Sequence, residues 1–340
     1  MSGSGHSDTE TRDLPDGLEE FIAAAGWGDA AITAIPGDAS FRRYFRLRRD
    51  DLPQTAMLMH APPPEENPTP FLDVAYWLAQ NDMRAPAIYA EDAAKGWVLT
   101  EDFGDERMRE YVDAHPDAEM PAYEAAVDAL VELHKRPAGP LAHYDMAVYQ
   151  REAGLLTEWY APALGLKVDK AGYEAAWEKA LAPMLERQRP GVTVLRDYHA
   201  ENIMLLGDPR SGAPQGLIDF QDALVGHPAY DLVSLLQDAR RDVSRALEAE
   251  MLSRYAKAAG TDEHFRADYA RLGAQRNAKI VGIFTRLYKR DGKPRYLDMI
   301  PRVWKAMERD LANPALKPVS EWFDNNIPDE LRKNGGGTIR

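Results

Sequence analysis

The sequence predicts an α+β chain, with a small antiparallel sheet in its first third and a mostly helical remainder. Three observations predict this. Along Phe41–Arg48, the residues Phe41, Arg43, Phe45 and Leu47 alternate with Arg42, Tyr44, Arg46 and Arg48 at the period of a strand. Beyond residue 104 the apolar residues recur at three- and four-residue spacing instead, the signature of helices. The length of 340 residues exceeds what one core usually needs, and a domain per roughly 150 residues gives a prior of two units.

Taken in order, residues 1–13 are rich in Ser, Gly, Asp and Thr and read as a disordered tail. Asp16 and Glu19 form a capping-box pattern ahead of Leu18, Phe21, Ile22 and Ala25, with Gly26 as the stop, so a short helix is expected. Ile32 and Ile35 lead into a Gly37-Asp38 turn and the alternating strand that follows; Thr55–Met59 is a third strand. Pro62, Pro63, Pro64, Pro68 and Pro70 make an extended loop, because none can donate to a ladder. Phe71, Val74, Ala75 and Leu78 return to helical spacing, and Ala87–Tyr89 and Trp97–Thr100 read as two more strands.

A hinge is expected near Glu101–Gly104. Past it, a helix opens at Pro121, and residues 146–160, 170–188, 243–259, 262–290 and 301–311 also read as helices. Short strands interrupt them at Val192–Leu195, Ile203–Leu206 and Gly216–Phe220. The expected division is a tail over 1–13, a first lobe over 14–103, a helical lobe over 104–315 and a C-terminal extension over 316–340. Trp159, Tyr160, Trp177 and Trp304 read as core.

Composition narrows the function. With 41 Lys plus Arg against 55 Asp plus Glu, the net charge of −14 argues against a surface built to coat nucleic acid. The chain has no cysteine, which excludes disulfides, thiolate metal sites and cysteine nucleophiles. No apolar run approaches the ~18 residues that span a bilayer, and Met1–Arg12 lacks the apolar core of a secretory signal. A soluble cytoplasmic protein, with neither a membrane nor an evident protein partner, is the expectation.

The chemistry concentrates in Val194-Leu195-Arg196-Asp197-Tyr198-His199-Ala200-Glu201-Asn202-Ile203-Met204, followed by Leu217-Ile218-Asp219-Phe220-Gln221-Asp222. A carboxylate five residues before an amide, then an Asp-Phe after an apolar pair, is the arrangement of a kinase catalytic loop and its metal-binding segment. Phosphoryl transfer from ATP needs a carboxylate to take the acceptor proton, and hard oxygen ligands for Mg²⁺ on the phosphates. Asp197 is the candidate base, and Asn202 and Asp219 are the candidate Mg²⁺ ligands.

These residues resemble the aminoglycoside phosphotransferase and choline kinase-like family, whose loop reads H-G-D-x-H-x-x-N and whose metal segment is followed by G-D-P-x-x-D-L. Asp197, His199, Asn202, Asp219 and Gly226-His227-Pro228-Ala229-Tyr230-Asp231-Leu232 match. Leu195-Arg196 and His227 depart from it. The resemblance covers residues 20 to 310 and implies a bilobal, protein-kinase-like fold with an antiparallel-sheet N-lobe that binds ATP and a helical C-lobe that carries catalysis and substrate. It also implies that Asp231 braces the loop; His199 is read as structural support. Gly37-Asp38-Ala39-Ser40-Phe41-Arg42-Arg43-Tyr44-Phe45-Arg46, with Ala61-Pro62-Pro63 and Pro70-Phe71-Leu72, is similar to bacterial kinases that phosphorylate N-acetylmuramate and N-acetylglucosamine at C1 in cell-wall recycling. A small-molecule sugar is the substrate so implied.

One feature departs from the kinase pattern. Residues 1–94 contain no lysine, so the usual strand lysine on the phosphates is missing, and Met59 or His60 stands in its place. Either the site is dead or another cation serves. Five arginines lie between residues 42 and 49, and Arg43 or Arg46 is the candidate substitute, solvated edge charges being the alternative. The Gly37–Ser40 turn would bring Ser40 to the phosphates, unless it is a plain hairpin turn. Adenine would lie on the backbone around Glu101 and Phe103, unless the hinge is simply an exposed acidic stretch. Tyr198, Arg240, Arg241 and Arg286 are candidate substrate contacts, helix-face salt bridges being the alternative for the arginines. Two rival functions remain: an aminoglycoside or small-amine kinase, and a nucleotide-binding pseudokinase.

Overall fold

A computed structural model describes residues 14–36 and 41–339; the predicted tail and the Gly37–Ser40 turn, with Ser40, lie outside them. The chain divides into two compact units, one of residues up to 72 with 86–104, the other of 73–85 with 105 onward. Residues 73–85, in the middle of the first lobe by sequence, belong to the second unit.

The first unit is a five-stranded antiparallel sheet with α1 (Leu18–Ala24) on one face. Its strands are β1 (Ala31–Ile35), β2 (Arg43–Arg48), β3 (Thr55–His60), β4 (Ile88–Asp92) and β5 (Trp97–Glu101), in the order β1-β2-β3-β5-β4. Alternation assigns the faces. Phe45, Leu47, Ala56, Leu58, Trp97 and Leu99 point to α1 and bury Leu18, Ile22 and Trp27. Met59 and Val98 point the other way and pack with Leu72, where α2 (Thr69–Gln80) begins. The expected capping box does not form. Gly17, in the left-handed region at φ 80°, is the N-cap, and no side chain caps α1. At the β4–β5 turn only Gly fits position 96, since a Cβ there would lie 1.9 Å from the Ala61 carbonyl oxygen.

The second unit is helical: α3 (Met108–Ala114), α4 (Glu119–His134), α5 (Met146–Leu155), a π-helical turn over Leu156–Tyr160, α6 (Ala161–Ala163) and α7 (Lys170–Arg187). Four three-residue strands follow, β6 (Val192–Val194), β7 (Ile203–Leu205), β8 (Gln215–Leu217) and β9 (Leu224–Gly226), then α8 (Ala229–Leu236), α9 (Arg245–Ala259) and α10 (Phe265–Lys289). The chain ends in α11 (Ile300–Leu311), α12 (Lys317–Asn326) and α13 (Asp329–Lys333). Helix α10 is the axis of the unit, buried on most sides against α5, α8 and α11. It crosses α5 so closely that a Cβ at Gly282 would lie 2.4 Å from the Leu155 carbonyl carbon. Residues past 316 pack into this unit: Trp322 donates to the Asp169 carbonyl at 2.7 Å, and Phe323 is fully buried. Among the described residues no helix is long and apolar enough to cross a membrane.

Candidate functional site

The small strands build the site by their pairing. β7 and β8 form an antiparallel hairpin in which Ile203 faces Leu217, so Asn202 and Ile218 emerge side by side, with Ile218 N–H donating to the Asn202 carbonyl at 3.2 Å. β6 pairs with β9, Val194 facing Leu224, and this closes the loop of residues 195–202 over the segment 218–223. Asp219 therefore sits two residues past the end of β8, not on the strand expected over Gly216–Phe220. β9 was not legible in the sequence.

Two non-glycine residues here occupy the left-handed region, Arg196 at φ 69° and Asp219 at φ 60°. Such conformations cost on the order of 1–3 kcal/mol and persist where surroundings over-determine them. Asp231, fully buried on α8, supplies one constraint: its carboxylate accepts the N–H groups of Leu195 at 2.7 Å and Arg196 at 2.8 Å. Burial pushes its pKa up to about 7 against the pull of those two bonds. The Arg196 side chain supplies another, through an ion pair with buried Glu152 and a bond to the Asp222 carbonyl at 3.1 Å. Glu152 also holds Lys279 at 3.1 Å and the Tyr144 hydroxyl. Burial alone would raise the Glu152 carboxyl, but Lys279 and Arg196 hold it below its ordinary value.

Asn202 fastens the loop to the segment. Its Nδ2 donates to the Asp197 carbonyl at 2.9 Å and to Asp219 Oδ2 at 3.0 Å. Asp219 also accepts from Gln221 at 2.8 Å. Dense surroundings and the charge of Asp197 raise the Asp219 carboxyl, although its edge stays exposed to solvent. The Asp219 carboxylate, which has no cationic partner among the described residues, makes with the amide oxygen of Asn202 a donor set that suits a hard divalent ion. Among the described residues there is no group of three or more His, Cys, Asp or Glu able to hold a metal.

Asp197 opens to solvent with 40% of its side chain exposed, from within a crowded recess. That crowding would raise its pKa; the charges of Lys279 and Arg276, helped by Arg196, outweigh it and hold the carboxyl below its ordinary value. The arrangement can take a proton from a hydroxyl and hold a cation beside it.

The other predicted residues fall in several places. His199 is buried, with Arg240 at 3.2 Å and Asn202 at 3.4 Å both facing its Nε2, and burial followed by the Arg240 charge keeps it neutral. Tyr198 is buried and donates to the Ala126 carbonyl at 2.8 Å. Arg240 pairs with Glu201 at 2.8 Å, and Arg241 with Asp113 and Glu119. Arg286 lies on α10, ten residues and about 15 Å of helix rise from Arg276. In the first unit, Arg43 meets His60 at 3.1 Å on the α1 side of the sheet, across the β2–β3 register. Arg46 points to the other face and grips Asp102 through Nε at 2.5 Å and Nη2 at 3.1 Å. Thr55 bonds the same carboxylate at 2.7 Å, so Asp102 is a buried ion-pair partner rather than part of an exposed acidic stretch. Glu101, at the end of β5, takes the Ala87 N–H at 3.3 Å, and Phe103 follows it, half-buried. Glu152, Arg276 and Lys279 were missed by the sequence reading. The polar run Gln275-Arg276-Asn277, inside a helix otherwise apolar enough to be buried, was the available signal.

Two adjoining cavities of about 450 and 610 Å³ open elsewhere in the second unit, around His134, Lys135 and Arg187; neither is lined by Asp197, Asn202 or Asp219.

With this geometry the chain can be compared with known proteins. Residues 31–274 match the phosphotransferase enzyme family (APH). An N-acetylmuramate/N-acetylglucosamine kinase of Caulobacter vibrioides is 37% identical, over 92% of this chain and 96% of its own length. A protein of the same name from Pseudomonas aeruginosa is also 37% identical, over 89% and 92%. The ADP-bound crystal structure of aminoglycoside phosphotransferase APH(2'')-Ib has a TM-score of 0.58 at 13% identity, covering 91% of this chain and 99% of that one, and shares the fold. The fold is thus the bilobal, protein-kinase-like one, and the chain belongs to the phosphotransferase enzyme family.

Proposed function

We propose that the protein is an ATP-dependent cytoplasmic kinase that phosphorylates the anomeric C1 hydroxyl of N-acetylmuramate and N-acetylglucosamine. The observation that carries the reading is the single constellation of solvent-open Asp197 with Asn202 and Asp219 joined at 3.0 Å. Identity to two kinases of that name along nine-tenths of the chain supports the choice of acceptor.

Asp197 takes the proton of the acceptor hydroxyl as its oxygen bonds to the γ-phosphorus; the bond to the β,γ-bridging oxygen breaks and its electron pair leaves with ADP. An anomeric hydroxyl is more acidic than an ordinary alcohol, so a carboxylate with a depressed pKa suffices. Asn202 and Asp219 would hold Mg²⁺, which neutralises charge on the phosphates when bound. Glu152, Arg196 and Asp231 keep the loop in its left-handed turn. For the missing lysine, Arg43 is the better substitute: its partner His60 has its pKa lowered by burial and the Arg43 charge, whereas Arg46 is already matched by Asp102. Ser40, Glu101 and Phe103 are the proposed nucleotide contacts. Tyr198 and Arg241, tied up within the fold, are assigned no substrate role.

The test is ADP release from Mg-ATP with N-acetylmuramate, N-acetylglucosamine, kanamycin and choline as acceptors. Turnover of the two amino sugars, abolished in Asp197→Ala, is expected. Turnover of kanamycin or choline alone would refute the acceptor assignment, and ATP binding without any turnover would indicate a pseudokinase.

A further inference from the structure

We propose that Arg276 is a positioning residue for the transfer step, its buried guanidinium holding one oxygen of Asp197 so that the other faces the acceptor hydroxyl. The inference rests on the reading of Asp197 as the proton acceptor and assigns a role to a residue outside the catalytic loop.

The carboxylate of Asp197 has little else to fix it. Among the described residues none donates a hydrogen bond to it, and its one ion pair is with Arg276, 4.0 Å from Oδ1. The terminal torsion of an aspartate is broad, so a carboxylate this exposed would otherwise sample many orientations. Arg276 cannot drift in the same way. Its side chain is 5% exposed, it projects from a stretch of α10 that is buried from Leu272 to Ala278, and its Nη2 donates to Ser234 Oγ at 2.7 Å. Ser234 lies one turn of α8 from Asp231, the residue that holds the backbone of Leu195 and Arg196. Helix α8 therefore anchors the loop backbone through Asp231 and the loop carboxylate through Ser234 and Arg276.

Two further observations separate Arg276 from a residue that only fills the core. Its Nη1 is buried with no hydrogen-bond partner, so its donors exceed what Ser234 uses. One turn along α10, Lys279 is paired with Glu152 and reaches Asp197 only through its charge, whereas Arg276 is the cation within ion-pair distance of that carboxylate. Placing a positive charge beside a base weakens it as a base. What Arg276 contributes is therefore aim, and aim matters because misplacing a reacting group by about 1 Å costs about 100-fold in rate.

The test measures kcat and KM for wild type, Arg276→Ala and Arg276→Lys, with N-acetylglucosamine and Mg-ATP. Arg276→Ala should lose about 100-fold in kcat with KM for ATP within twofold, and Arg276→Lys should recover at least tenfold of that loss. Arg276→Gln, closer in size, repeats the measurement if the alanine variant does not fold. The inference is overturned by an Ala or Gln variant within threefold of wild-type kcat, or by a rise in KM for ATP with kcat unchanged. If wild type turns over none of the acceptors, the functional reading falls and takes this inference with it; if wild type is active and the Arg276 variants are too, only the inference falls.

Discussion

Replacing Glu152 with Gln tests the claim that a buried charge network sets the shape of the loop. Glu152 is 6% exposed and carries three donors: the Arg196 guanidinium, the Lys279 ammonium at 3.1 Å and the Tyr144 hydroxyl. The substitution keeps the shape and one acceptor oxygen but removes the charge that balances two cations whose side chains are only 16% and 12% exposed. Each charge-assisted bond contributes about 1.5–3 kcal/mol, and breaking a buried pair by removing one partner typically costs 3–5 kcal/mol. Glu152→Gln should therefore lose about 3 kcal/mol in urea unfolding at pH 7.5, read from the midpoint at unchanged slope. It should also lower kcat at least tenfold, because Arg196 no longer pins a backbone at φ 69°. The penalty should shrink on acidification, since a carboxyl whose folded pKa is depressed stabilises the fold above its unfolded value and stops doing so as pH falls through the folded one. A Gln variant within 1 kcal/mol of wild type, with kcat unchanged, would refute the reasoning.

Two further outcomes are expected. Gly282→Ala should lose about 3 kcal/mol or more, because the new methyl would meet the Leu155 backbone, while Gly154→Ala on α5, with nothing nearer than 4.0 Å, should be neutral or stabilising by up to ~1 kcal/mol; equal urea midpoints for the two would contradict the packing described. His134, with Nδ1 on the Tyr255 hydroxyl at 2.7 Å and Nε2 enclosed without a partner, has its pKa pushed down to about 3 by burial, with a smaller push from His227. Between pH 6.5 and 3 the unfolded chain binds a proton there that the folded one does not, so stability falls as pH drops below 6.5. Going from pH 7.5 to 5, His134→Asn should lose about 1–2 kcal/mol less stability than wild type, and identical pH slopes would count against a neutral His134.

Much of this was legible in the sequence, and the limits have physical causes. The strand alternation from Phe41 to Arg48 could be read directly because one face of β2 is buried and the other is not. Asp197, Asn202 and Asp219 could be named because phosphoryl transfer demands those groups in that order. Their juxtaposition could not be derived, since it depends on three-residue strands pairing at long range, β6 with β9 around the β7–β8 hairpin. The Asp16–Glu19 pattern misled because Gly17 can take the left-handed N-cap position without any side chain. Arg240 and Arg241 stood out as substrate contacts by their charge, yet both are occupied by carboxylates distant in sequence. Arg276 was passed over because a charged residue in a long helix ordinarily faces water, and α10 is buried there on every side.

The most direct test of the central claim is a ¹H–³¹P correlation spectrum of the product formed from N-acetylglucosamine and Mg-ATP, run with wild type and with Asp197→Ala. The account predicts a phosphate coupled to the anomeric proton H1 for wild type and no product for the variant. A phosphate coupled to the C6 protons, or equal product from Asp197→Ala, would contradict it.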